Sequence, residues 1–159
     1  LLEGDAKAKD WLEGMKANGA VEFPKNTAIV DAVGRGEVDV GFVNHYYLHR
    51  FLAEQGQEFG ARNHYSSGDA GALINVAGAG ILTSNDSPEG AQKFIEYLLS
   101  EPAQRYFTEE THEYPLVYGI EPSVTLPSLV SLDPPDIILG DLHDLRGTLD
   151  LMREAGVIP

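Results

Sequence analysis

The stretch Glu37–Arg50, EVDVGFVNHYYLHR, decides how the rest of the chain is read. Apolar Val38, Val40, Phe42 and Val43 predict a covered strand from Val38 to Val43. Asn44 follows as an expected N-cap, because its side-chain oxygen can accept a free first-turn N–H, and a helix then opens on Tyr46 and Tyr47. Strand-to-helix corners of open α/β sheets face the ligand crevice, and a helix N-terminus there favours negative charge. Two phenols at such a place are candidate ligands.

Composition narrows the class. The chain has 159 residues, 43% of them hydrophobic, which suffices for a buried core. Its 25 acidic residues against 11 basic ones give a net charge of −14, so nucleic acid and anionic membrane surfaces are unfavourable partners. No apolar run reaches the roughly 18 residues of a membrane helix, and Leu1 is expected to lie inside a helix rather than in a charged leader. The absence of cysteine excludes disulfides and thiolate metal sites.

Along the chain, Ala8, Trp11, Leu12 and Met15 share one helical face, which Asn18-Gly19 ends. A short strand is expected near residues 20–23, then a helix capped by Asn26 or Thr27 and terminated by Gly34 and Gly36. Leu48, Phe51 and Leu52 give the helix after the tyrosines its buried face. Residues 63–71 read as a loop, and the glycine-rich run 72–82 as a strand with close backbone approaches. Ser87-Pro88-Glu89 starts a helix with Ala91, Phe94, Ile95, Leu98 and Leu99 inward. A shorter helix from Ser100 and Pro102 places Ala103, Tyr106 and Phe107 inward, and residues 114–135, rich in proline, are expected to be irregular. Leu142, Leu145, Leu149 and Met152 mark a last helix closed by Gly156. About three strands are too few for an average sheet of roughly 5–6, so the order reads as an α/β chain cut from a larger one.

The runs TAIVDAVGRGEVDVGFVNHYYLHR, NHYSSGDAGALINVAGAGIL, SPEGAQKFIEYLLSEPAQRYF and EYPL together resemble the ferric-iron-binding proteins of ABC importers. The helix SPEGAQKFIEYLLS is generic to many binding proteins of this kind, whereas the tandem tyrosine after Asn44-His45 is specific to the iron-binding branch. The resemblance implies a periplasmic-binding-protein-like type II two-lobe α/β fold, truncated to its C-terminal half. Residues 1–71 plus 128–159 would belong to the C-terminal lobe and residues 72–127 to the N-terminal lobe after a hinge crossing. It implies Tyr46 and Tyr47 as Fe³⁺ ligands, and Asn26 and Asn44 as holders of a synergistic anion, phosphate or carbonate. It further implies an extracytoplasmic protein, periplasmic or lipid-anchored at the cell surface, that delivers iron to an ABC importer permease and is not an enzyme. Its signal segment and any iron ligands of the other lobe lie outside this sequence. Cut from its lobe partner, the isolated fragment is expected to self-associate through uncovered sheet edges.

The chemistry agrees with the resemblance. Fe³⁺ prefers oxygen donors, and a phenol of intrinsic pKa about 10 is deprotonated near neutral pH when a metal replaces its proton. Helix N–H groups beside the metal suit a bound anion. Two alternatives stand beside this reading: the same fold holding a small anion or organic solute against the tyrosines, and a metal-dependent hydrolase using His45 and His49 at i, i+4. His112-Glu113 lacks the second histidine of an HExxH site, and residues 68–80 lack the ending of a phosphate loop. Ser66-Ser67-Gly68-Asp69 reads as a capping loop.

Overall fold

A computed structural model of the chain describes residues 2–123 and 126–159. Among these, six α-helices form where the sequence predicts them: α1 (Asp5–Ala17), α2 (Asn26–Gly34), α3 (Tyr46–Gln55), α4 (Pro88–Leu98), α5 (Glu101–Glu110) and α6 (Leu145–Glu154). The helices pack as sequential or terminal pairs: α2 on α3, α4 on α5, and α1 on α6. Lys16 Nζ donates to the Gly156 carbonyl at 2.8 Å, so the first helix reaches the turn that closes the last. Gly19 and Gly156 both take positive φ, at 78° and 67°, which allows the sharp exits after α1 and α6 at no steric cost. Asp144 caps α6 by accepting from the Gly147 N–H at 2.8 Å.

The core that carries the tyrosine corner lies between α2 and α3. Val30, Leu48, Phe59 and Ala61 are buried together, with Val33, Val43, Tyr47, Phe51 and Leu52 packed against them. Phe59 stacks on Phe51 at 5.1 Å between ring centroids. It also lies directly over Gly34, where an added Cβ would stand 2.0 Å from the ring. Gly41 is just as tightly covered, with Ile29 Cγ2 only 2.2 Å from where a Cβ would be. The glycine at 41 therefore lets α2 seat against the segment that leads into the corner.

The expected strands differ from what is found. No strand occurs among the described residues: residues 37–39 bend, residues 40–44 have no ladder, residues 70–72 form a single 3-10 turn, and residues 20–23 and 73–82 are irregular. Val40 and Phe42 are 73% and 66% exposed, so the run Val38–Val43 is not a covered strand. The physical reason is that strand structure belongs to a pair of backbones. β-rich sequence without a hydrogen-bonded neighbour stays irregular, whatever its propensity. Phe42 instead finds the edge of Trp11 at 5.9 Å. Nor does close packing explain every glycine of residues 68–80, since nothing lies near a Cβ placed at Gly78 or Gly80.

Two helix caps and two helix faces are also corrected. Lys25 precedes α2, with Asn26 as its first helical residue, so neither Asn26 nor Thr27 caps it by side chain. Ser87 precedes α4 without a side-chain cap bond, because the local bond runs from its own N–H to Asn85 Oδ1 at 2.6 Å. Phe94, Leu99 and Tyr106, expected inward on α4 and α5, lie at the surface, and Ala103, Gln104 and Thr108 are the buried residues of α5. Gln104 explains the junction better than any apolar residue does. Its Nε2 donates to the Leu98 carbonyl at the end of α4 (2.8 Å), and its Oε1 accepts from the Leu116 N–H (2.6 Å). One buried amide thus satisfies a helix-end carbonyl and a loop N–H that would otherwise be orphaned. Replacing it with an apolar isostere leaves both groups without partners, so Gln104→Leu is expected to cost about 1–3 kcal/mol. Denaturant unfolding checks this, and an unchanged midpoint would show that the junction does not depend on the amide.

Candidate functional site

The corner is built by a short irregular approach and the first turn of α3. The Tyr47 N–H bonds the Asn44 carbonyl and the Leu48 N–H bonds the His45 carbonyl, each at 3.3 Å, so the turn begins one residue later than a side-chain cap at Asn44 would require. His45 occupies the N-cap position in helical conformation, with no side-chain cap bond. The expected cap at Asn44 is corrected accordingly. Its side-chain amide faces the other way and donates from Nδ2 to Tyr46 Oη at 3.1 Å. A short polar side chain beside a phenol finds a nearer partner there than in the helix backbone.

Tyr46 and Tyr47 are brought together, with ring centroids 4.6 Å apart at 38°. Tyr47 packs on the core between α2 and α3, and Tyr46 lies over it, half-buried. Burial raises the pKa of Tyr46 first, and its hydrogen bond with Tyr47 adds to this, while the Asn44 amide acts in the opposite sense. Asn44, Tyr46 and Tyr47 therefore form one cluster of oxygen donors with an amide at its edge. Asn26 opens α2, the helix packed on α3, but no hydrogen bond joins it to this cluster among the described residues.

His45 lies under the cluster. Its Nε2 is 2.8 Å from the His112 carbonyl, and since a carbonyl only accepts, this nitrogen carries the proton. Its ring meets Tyr46 at 5.6 Å, Tyr114 at 5.4 Å and Tyr65 at 6.2 Å. Asn63 Nδ2 donates to the His45 carbonyl at 2.9 Å and to Tyr65 Oη at 3.3 Å. Arg62 braces this loop by donating to the carbonyls of Phe59, Ala61 (2.6 Å) and Gln57 (3.0 Å). His112 reaches the corner because it turns the chain at the end of α5 with φ 58°, a left-handed conformation uncommon outside glycine. Asn63, Tyr65, His112 and Tyr114 were not singled out as site residues from the sequence, and no periodicity or motif spacing marks them.

Burial lowers the pKa of both His45 and His49. His49 packs on His112 at 4.7 Å between ring centroids, while His45 meets the carbonyl of the same residue. Among the described residues no three His, Cys, Asp or Glu side chains gather as a metal-holding group. The hydrolase alternative on His45 and His49 therefore lacks both a free Nε2 at His45 and a third ligand of that kind.

Comparison with known proteins places the chain in a family. The family model described as bacterial extracellular solute-binding protein matches residues 2–132. The chain belongs to that family. The chain is 34% identical over 158 residues to the major ferric iron-binding protein of Neisseria meningitidis serogroup A, across 98% of its own length and 47% of the relative. Iron uptake protein A1 of Synechocystis is 32% identical over 164 residues, covering 98% of this chain and 46% of the relative. The crystal structure of iron-bound HitA from Pseudomonas aeruginosa superposes with a TM-score of 0.89 at 36% identity, over 98% of this chain and 50% of that one. The chain thus spans about half the length of the curated relatives it matches. Its fold is correspondingly about half of the periplasmic-binding-protein type II fold, as the sequence led us to expect.

Tyr114 supplies a pH signature of the site's frame. Its hydroxyl donates to the Pro127 carbonyl at 2.6 Å, and burial, with a smaller contribution from Tyr65, pushes its pKa up to about 12. A folded-state pKa above the ordinary value of 10.0 means that the neutral form is favoured by folding. That stability is fully present below pH 10.0 and is lost as pH rises toward about 12. Tyr46 and Tyr65 shift in the same direction. Denaturant unfolding over this window should therefore show a steep loss of stability in the parent and a shallower one in Tyr114→Phe. Parallel profiles would separate Tyr114 from the alkaline transition.

Proposed function

We propose that this solute-binding protein captures ferric iron through Tyr46 and Tyr47 and delivers it to an ABC importer permease from an extracytoplasmic position. The observation that carries the reading is the pair of phenols, 4.6 Å apart at the first turn of α3, in a chain whose relatives are named for ferric iron binding and iron uptake. Metal binding replaces two phenolic protons, and the anionic oxygens so formed match a small trivalent cation. The net charge of −14 favours a cation at long range. Asn44, already on Tyr46, and Asn26, at the start of a helix packed on α3, are the residues we assign to a synergistic anion, phosphate or carbonate. The role is binding and transfer, with no bond made or broken in the cargo.

The helix pairs support a division into two lobes. α4 and α5 pack on each other within residues 72–127, while α1 with α6 and α2 with α3 fall within residues 1–71 and 128–159. The Gly68 N–H bonds the Asp133 carbonyl at 3.0 Å, bringing the two proposed crossings side by side as a hinge would require. Exposed Val40, Phe42, Leu82 and Val130 favour self-association of the isolated 159-residue chain.

Phenolate-bound ferric iron absorbs visible light, whereas an anion or organic solute held by the same tyrosines leaves the protein colourless. Tyr46→Phe and Tyr47→Phe each remove one anionic oxygen while keeping the ring. Each is expected to weaken ferric binding severely and to diminish the visible band, with folding preserved. Titration of the full-length protein with a ferric chelate, followed by absorption and circular dichroism, checks this. Full affinity and an unchanged band in the double variant would overturn the assignment.

A further inference from the structure

The geometry points to His45 as a positioning residue that ties the tyrosine pair to the segments crossing between the proposed lobes. This rests on the ferric reading above and deepens it. His45 is held by groups far from it in sequence: the His112 carbonyl on its ring (2.8 Å), the Asn63 amide on its own carbonyl (2.9 Å), and the tilted rings of Tyr65 (6.2 Å) and Tyr114 (5.4 Å) beside it. Each holder is itself anchored. Asn63 also bonds the Tyr65 hydroxyl at 3.3 Å and follows Arg62, which is bonded to three carbonyls of the preceding loop. Tyr114 bonds the Pro127 carbonyl at 2.6 Å, next to the segment whose Asp133 pairs with Gly68.

The consequence is local and directional. The His45 carbonyl and the Tyr46 N–H are the two ends of one peptide unit, whose plane is rigid. A hydrogen bond that orients that carbonyl therefore orients the start of Tyr46. The ring bond to His112 holds the side-chain end of the same residue, so His45 is clasped at both ends. Asn63 and Tyr65 come from the loop of residues 63–71, and Tyr114 with Pro127 from the stretch leading to residues 128–133. A displacement of either segment pulls on His45 before it reaches Tyr46. In this way movement at the crossings is transmitted to the angle of the phenols and hence to iron retention, while His45 never touches the metal.

Four variants of the full-length protein test this: His45→Ala, His45→Gln, Asn63→Ala and Asn63→Asp. The probe is ferric iron supplied as a chelate, with the visible phenolate band and the rate of iron loss to a competing chelator as readouts. Loss of an outer partner of a metal ligand typically costs about 10–100-fold in affinity. His45→Ala and Asn63→Ala are expected to bind iron with a displaced band and to release it at least about tenfold faster. His45→Gln keeps an N–H for the His112 carbonyl and should recover most of the difference, whereas Asn63→Asp loses its donor and should not. Variants that melt earlier yet keep the parental band and release rate would show that the clasp is merely structural and would overturn the proposal. No ferric band in the parent would overturn the ferric reading itself, and the clasp with it.

Discussion

The packing of Tyr47 against the cluster of Val30, Leu48, Phe59 and Ala61 is the constraint on which the site depends. A tandem tyrosine at a helix start has one ring directed inward and one beside it, and the α2–α3 interface settles which. With Tyr47 seated on the core, Tyr46 has little freedom: Tyr47 lies against one side, Asn44 bonds its hydroxyl, and His45 lies against its ring. Two tightly covered glycines make that interface possible, Gly34 under the Phe59 ring and Gly41 under Ile29. A side chain at either position would force the helices or the approach segment apart and release the corner.

The same arrangement sets the electrostatics. Burial and the neighbouring phenol hold Tyr46 in its neutral form, so its oxygen becomes anionic only when something replaces the proton. His45, whose basicity burial lowers, adds no competing positive charge beneath the phenols. The exposed ion pairs, such as Arg50 with Glu54 at 2.9 Å and Arg105 with Glu101 at 2.9 Å, are local to single helices and contribute little to this balance.

Much of the helical frame was legible in the sequence because helix signals are local. Apolar residues three and four apart located α1 and α3 to α6, terminating glycines located α2, and Asn18-Gly19 and Gly156 marked two further ends. The strands were not legible, since Val38, Val40 and Phe42 carry the propensity but the neighbour that would make them a sheet is a property of the fold. Inward faces were overstated for the same reason: a stripe such as that of Phe94 and Leu99 becomes buried only where something covers it. At the site, Tyr46, Tyr47 and Asn44 could be read from adjacency, although Asn44 was assigned the wrong hydrogen bond. The holders of His45 could not, because His112 is 67 residues away and Asn63 is 18 away, joined only by a turn with positive φ and a loop braced by Arg62.

The central claim is that both phenols of the corner bind ferric iron as phenolates. Resonance Raman spectroscopy of the iron-loaded full-length protein, excited within its visible band, tests it most directly. Tyrosinate ring modes that move when the tyrosine rings are deuterated are predicted, with intensity falling as each of Tyr46 and Tyr47 is replaced by phenylalanine. A loaded protein without enhanced tyrosine modes would contradict the account.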